Sequence, residues 1–298
     1  MRPQAFEVIE AERARFPVNV MCRALGVSRS GYYAWRARGP SQRAKQNAKL
    51  CSKIIDIHKR SRGTYGSPRV TAQLHDEGFV ANRKRVARLM AQMGLSGELK
   101  PKFKNANSQP SNTMSPNILD RNFKTEQPDQ VWVSDITYIP TAAGWLYLAV
   151  VIDLFSRRVV GWAMAEHMRA ELVVDALAGA LGSRVPSQRG LVFHSDQGSQ
   201  YSSERVREAL SKEKIVSSMS RRGNCWDNAV AEAFFATLKR ELVYRRIYLT
   251  PAEATTSIAE WIEVFYNRQR RHSTIGYQSP AQYEEDFYAR TEAMSQAA

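Results

Sequence analysis

A chain of 298 residues with 43% hydrophobic content has room for about two domains, and no apolar run in it reaches the ~18 residues that a membrane span requires. The opening MRPQAFEVIEAERARF mixes acids into a stretch with no apolar segment and so predicts no secretory signal; Cys22, Cys51 and Cys225 are too scattered for a disulfide framework or a zinc site, and fit a reducing cytoplasm. The net charge of +14 is lopsided: residues 1–125 carry 24 Lys and Arg against 8 acids, and the remainder 19 against 21, so the excess positive charge lies where a nucleic-acid-binding region would put it.

The first predicted elements form a short helix-turn-helix-like segment over 1–40. In VNVMCRALGVSRSGYYAWRAR one helix ends near Gly26, and Ser28 can cap a second, basic and aromatic helix. A basic helical module follows over 41–98. Leu50, Ile54, Ile55 and Ile57 give an amphipathic helix, and after the turn RGTYGS, Ser67 is expected to cap a helix with Pro68 at its first position. Asn82 then caps NRKRVARLMAQMG, whose first turns carry Arg83, Lys84, Arg85 and Arg88. Cations at a helix N-terminus oppose its dipole. A phosphate partner gives that arrangement a purpose, so these four are the candidate DNA contacts. Residues 99–128, rich in Pro, Ser and Asn, read as a linker.

From 129 to 285 the pattern changes to an α/β domain, followed by a tail over 286–298. VWVSDITYI alternates, GWLYLAVVID is continuously apolar and RRVVGWAMA is a third strand; their short links predict an antiparallel meander. A helix (170–181), the strand LVFHSD, a helix (203–212), a strand near 215–219 and helices starting at Asp227 and Pro251 complete the order. That order is the one of a ribonuclease-H-like core, a mixed five-stranded sheet with helices, preceded here by small all-α modules.

Three carboxylates carry the chemistry. Asp135 lies mid-strand on the face of Val131, Val133 and Ile139, where an uncompensated charge costs several kcal/mol. Asp196 ends LVFHSD, the strand that pairs beside the first in this fold. Glu232 shares a helical stripe with Asn228 and Lys239 in DNAVAEAFFATLKREL. Taken alone, Asp196 reads as a helix or turn cap and Glu232 as an exposed side chain on an amphipathic helix. Asp153 reads as a turn cap before an accessory acid, and His194 as a satisfied core histidine before a ligand. For Arg268, Arg270, Arg271 and His272, DNA contact and a charge–dipole role at a helix end stand level.

Together, Asp135 in VSDITYI, Asp196 in HSDQGSQY and Glu232 in DNAVAEAFFATLKREL resemble the acidic triad of DDE transposases and retroviral integrases, with 35 residues between the second and third acids and Lys239 seven after the Glu. GWLYLAVVIDLFSRRVVGW and YNRQRRHSTIGYQSPAQY are similar to the orfB-type transposases of bacterial insertion sequences, the IS-three family. The resemblance runs from Gln42 to about Tyr283. It implies a cytoplasmic enzyme that cleaves DNA at the element's ends and joins the freed 3′-hydroxyl to a target. Mg²⁺, with Mn²⁺ as substitute, would sit on the three carboxylates, and Lys239 would contact DNA. The implied partners are element ends, target DNA, further copies of the chain and an upstream orfA-type fusion partner. A non-catalytic helix-turn-helix regulator and another ribonuclease-H-fold nuclease are the alternatives; the first predicts a dispensable triad, and the second leaves the basic modules without a role.

Overall fold

The computed structural model describes residues 2–39, 41–97, 115–118, 125–184, 190–220 and 228–297. Most of the expected linker and Cys225 lie outside these residues. Helices α1 (Arg2–Glu12), α2 (Val18–Ala24) and α3 (Arg29–Ala37) close on a small core of Ile9, Cys22 and Tyr32. Ser28 caps α3, its hydroxyl accepting from the Gly31 N–H at 3.0 Å.

The second module comprises α4 (Gln42–Arg60), α5 (Ser67–Asp76) and α6 (Arg83–Gln92). Ile54, Val70, Leu74 and Val86 are its fully buried contacts. Asn82 caps α6, Oδ1 accepting from the Arg85 N–H at 2.8 Å. The α5 cap falls one residue earlier than expected: Gly66 is the N-cap, and Ser67 and Pro68 are the first two helical residues. Proline has no N–H to lose anywhere in a first helical turn, so it does not discriminate between the two registers.

The sheet is built from β1 (Val131–Thr141), β2 (Gly144–Asp153), β3 (Val159–Ala165), β4 (Val192–Ser195) and β5 (Val216–Met219) in the order β3-β2-β1-β4-β5. The first three strands form the antiparallel meander. Helices α7 (Ala170–Ser183) and α8 (Glu204–Lys212) are the crossovers that bring β4 parallel to β1 and β5 parallel to β4. This is the ribonuclease-H-like topology.

One sheet face, with Val133, Ile139, Leu148 and Val150, shares a continuous core with α9 (Ala229–Glu241), α10 (Pro251–Glu260) and the second helical module. The other face, with Trp132, Ala149, Val151 and Phe193, packs on α7 and α8. There β3 approaches α7 so closely that a Cβ on Gly161 would lie 2.3 Å from the Ala176 carbonyl oxygen. After α10 the chain widens into a π-helical segment, Trp261–Tyr266, which buries Trp261, Ile262, Phe265 and Tyr266.

The last helix, α11 (Pro280–Ala297), runs unbroken through residue 286, so the segment that reads as a tail continues a helix. Buried Glu284 anchors it to Arg158 and Arg184, at 2.8 and 2.6 Å, and Phe287 packs on Phe155. Among the described linker residues, Ser115 and Ile118 bond to the Ser217 and Ser218 hydroxyls on β5.

Candidate functional site

The site lies where β4 stops and β1 continues. Their parallel register pairs Val131 with Val192, Trp132 with Phe193 and Val133 with His194. Continued by two residues, it sets Asp196 level with Asp135. Because side chains alternate along a strand, the two carboxylates then share the face that carries Val133. The sequence Asp196-Gln197-Gly198 forms an Asx turn in which Asp196 Oδ1 accepts from the Gly198 N–H at 3.0 Å. Asp135 Oδ1 accepts from the Ile136 N–H at 2.8 Å. Each aspartate is thus held through one oxygen.

Helix α9 brings the third acid over this edge. Its buried side, Ala231, Phe234, Phe235 and Leu238, packs on the sheet and leaves Glu232 and Lys239 half-buried at the rim. Asn228 fixes the start of the helix: its side-chain amide donates to the Ser134 carbonyl at 3.1 Å, one residue before Asp135. The shared stripe with Glu232 places Asn228 on the right side of the helix, but only the folded chain shows this anchor. Ser134 is held in addition by a 2.9 Å hydrogen bond between its hydroxyl and that of Tyr201.

Burial, the Asp196 charge and, more weakly, the Glu232 charge raise the Asp135 carboxyl to about 8, against an ordinary 3.8; the Ile136 N–H and Lys239 oppose the rise. Asp196 is raised by burial, against the Gly198 N–H, and Glu232 by burial and then by Asp196. Burial lowers the Lys239 ammonium, while Asp135 pulls the other way. The acids therefore sense one another across the site. Among the described residues no group of three or more His, Cys, Asp or Glu is gathered closely enough to enclose a metal ion. The carboxylate oxygens of Asp135, Asp196 and Glu232 are donors of the kind that a hard divalent cation takes.

The remaining candidates separate. Asp153 is fully buried and is a turn cap, accepting from the Asp129 N–H at 2.7 Å and from the Ser156 N–H and hydroxyl at 2.8 and 2.9 Å. His194 is a satisfied core histidine between the Ser218 and Ser220 hydroxyls, at 2.9 and 3.1 Å. Arg83, Lys84 and Arg88 are exposed on α6, and no ion pair among the described residues engages them. Arg85 is half-buried and spends its guanidinium on Asn47 at 2.7 and 3.0 Å.

In the Arg268–His272 cluster, Arg270 and Arg271 act as internal clamps. Buried Arg270 forms a two-point pair with buried Glu241, at 2.8 and 2.7 Å, at the end of α9. Arg271 holds Gln73 at 2.6 Å and Asp76 at 2.5 Å, both on α5. Arg69 on α5 donates to the Arg271 carbonyl at 2.9 Å and lies 3.8 Å from Glu241. His272 packs edge-on against Tyr266, and burial together with Arg270 pushes its pKa well below the ordinary range. Glu241 and Arg69 carry no motif, so their part in this junction is visible only in the fold.

The chain is similar to several known proteins. The family description "Integrase core domain" matches residues 125–225 and, in a second form, 213–280; "HTH-like domain" matches 45–103. The transposase for insertion sequence element IS904 of Lactococcus lactis subsp. lactis is 44% identical over 248 residues, 83% of this chain and 98% of that protein. Transposase InsF for insertion sequence IS3A of Escherichia coli (strain K12) is 39% identical over 279 residues, 93% of this chain and 96% of that protein. Among solved structures, the HTLV-2 integrase catalytic core domain in complex with magnesium is 16% identical, covers 54% of this chain and 99% of its own, and has a TM-score of 0.42.

Proposed function

The chain belongs to the IS-three family of insertion-sequence transposases, with an integrase core behind an HTH-like domain, and on that premise we propose that it cuts and joins DNA with Asp135, Asp196 and Glu232 as its reacting-site carboxylates. The observation that carries this reading is the β1–β4 register, which sets Asp196 level with Asp135 at the sheet edge that α9 overhangs with Glu232.

Asp135, Asp196 and Glu232 are the residues that would hold Mg²⁺, or Mn²⁺ in its place. Bound there, a divalent pair activates the attacking oxygen and stabilises the leaving one in an in-line displacement. The chain supplies the rest. The Ile136 and Gly198 N–H groups orient the two aspartates, Asn228 sets the start of the Glu232 helix against β1, and Lys239 offers a cation to a phosphate at the same edge. Water attacks first and frees a 3′-hydroxyl; that hydroxyl then attacks a second phosphodiester. No protein side chain serves as nucleophile, so no covalent protein–DNA species forms. The exposed Arg83, Lys84 and Arg88 are the phosphate contacts of the HTH-like module, with Arg85 beside them. Joining two ends to one target is work for more than one copy on DNA, and an upstream orfA-type fusion partner is the further partner that the family likeness implies.

The test is strand transfer on labelled DNA carrying the element's ends, with Mg²⁺ and with EDTA, for wild type, Asp135→Asn, Asp196→Asn and Glu232→Gln. Joining should need the cation and disappear in all three variants while DNA affinity persists. Joining that survives EDTA or any of the substitutions would sink the assignment.

A further inference from the structure

The β1–β2 hairpin carries an aromatic pair that belongs to neither core. Tyr138 and Trp145 are 55% and 52% exposed, and their rings meet edge to face with centroids 5.1 Å apart. Lys239 Nζ stands 4.5 Å from the Tyr138 ring centroid. The same lysine lies within the electrostatic reach of Asp135, so the aromatic pair and the carboxylates share one cation. Tyr138 and Asp135 are an odd number of residues apart and so point to opposite faces of β1, and Lys239, which bears on both, reaches round the strand between them. Among the described residues β4 pairs with β1 only as far as Val133, so the residues from Asp135 to Thr141 form a free edge running outward from the site. Tyr138 lies three residues along that edge from Asp135, about 10 Å at strand rise, or about three stacked nucleotides.

An exposed aromatic surface beside a cation is the combination by which proteins hold unpaired nucleic acid. The ring face takes a base of any identity and the cation takes a neighbouring phosphate. Resting on the reading of the carboxylates as the reaction centre, we propose that Tyr138 and Trp145, flanked by Lys239, form a stacking platform for an unpaired base of the reacting DNA, within about three nucleotides of the phosphate presented to Asp135. The platform would hold a frayed end open and keep its strand aligned with the carboxylates. Displacing a base from its stack costs free energy, and a second stacking surface offsets it.

Binding is measured with the full chain carrying Asp196→Asn, so that no chemistry intervenes. The probes are a duplex of the element's terminal sequence, fully paired or with a short unpaired end, carrying a fluorescent aminopurine at each of the terminal positions in turn. Tyr138→Ala with Trp145→Ala should weaken binding of the unpaired end about 5- to 150-fold, the equivalent of about 1–3 kcal/mol per stacked base at 1.4 kcal/mol per tenfold. Affinity for the fully paired duplex should hold. Aminopurine quenching at one position should vanish in the double variant and return with Tyr138→Phe and Trp145→Phe. Equal affinity for both probes with unchanged fluorescence would overturn the platform. So would a double variant that binds unpaired ends normally but sediments as a smaller species, which would make the pair a contact between copies. Joining by the otherwise wild-type chain keeps the two readings apart. Loss in Asp196→Asn with full activity in the double variant removes the platform alone, whereas activity in Asp196→Asn removes the carboxylate reading.

Discussion

Replacing Asp135 by Asn should stabilise the metal-free protein while it abolishes joining. Burial, Asp196 and Glu232 raise this carboxyl from 3.8 to about 8. Between about pH 4 and pH 8 the native chain therefore keeps a proton that the unfolded chain releases, and stability falls as pH rises through that window. Near pH 7 the cost approaches about 4 kcal/mol, at 1.36 kcal/mol for each unit between the unfolded value and the pH. Water and counter-ions at a half-buried edge relieve part of this, leaving a gain of about 2–4 kcal/mol for the isosteric, uncharged amide. For a domain of this size that is a rise in Tm of about 5–15 °C. The gap should close toward pH 4, where the unfolded chain holds the proton as well. Millimolar Mg²⁺ should raise the wild-type Tm and move the Asn variant much less, because a ligand stabilises only as far as the native state binds it. Thermal unfolding of both proteins across this pH range, in EDTA and in Mg²⁺, measures all of these. A variant no more stable than wild type near neutral pH, or an equal Mg²⁺ response in both, would refute the reasoning.

Three further outcomes test other parts of the structure. Glu241→Ala leaves the buried Arg270 without its partner and should cost about 3–5 kcal/mol in urea unfolding, whereas an unchanged midpoint would contradict the clamp. Gly161→Ala forces β3 away from the α7 backbone and should cost about 1–3 kcal/mol or more by the same measurement; a neutral result would mean that strand and helix separate freely. DNA affinity, read by fluorescence anisotropy, should fall about 10³–10⁵-fold between about 50 and 200 mM salt if the basic module neutralises about 6–10 phosphates, and a flat response would contradict the charge argument.

Much of the site is legible from local pattern. Period-two alternation marks β1, the apolar run ending in a carboxylate marks β4, and parallel pairing of the two follows from the helix between them. With the register known, Asp135 and Asp196 have to meet. Caps such as Ser28 and Asn82 are equally local, since donor and acceptor lie three residues apart. The junction between the HTH-like module and the core is different. Arg69 meets Arg271 across 202 residues, and Arg271 meets Gln73 across 198. Nothing in the periodicity of either segment names the other, so the arginines of YNRQRRHSTIGY read equally well as DNA contacts. The one-residue shift at Ser67 has a smaller cause, a proline that two helix registers accept alike.

The Glu241 junction bears on how such chains can be recombined. Glu241 ends the helix that carries Glu232 and Lys239, and it is gripped at once by Arg270 from the C-terminal segment and approached by Arg69 from the HTH-like module. A graft of that module from a relative onto this core would bring a foreign residue to a position where a buried carboxylate waits for an arginine. The HTH-like module is therefore fitted to the far end of the chain through this one carboxylate. A hybrid built by cutting at the linker needs residues 69, 241, 270 and 271 matched as a set before its specificity can be exchanged.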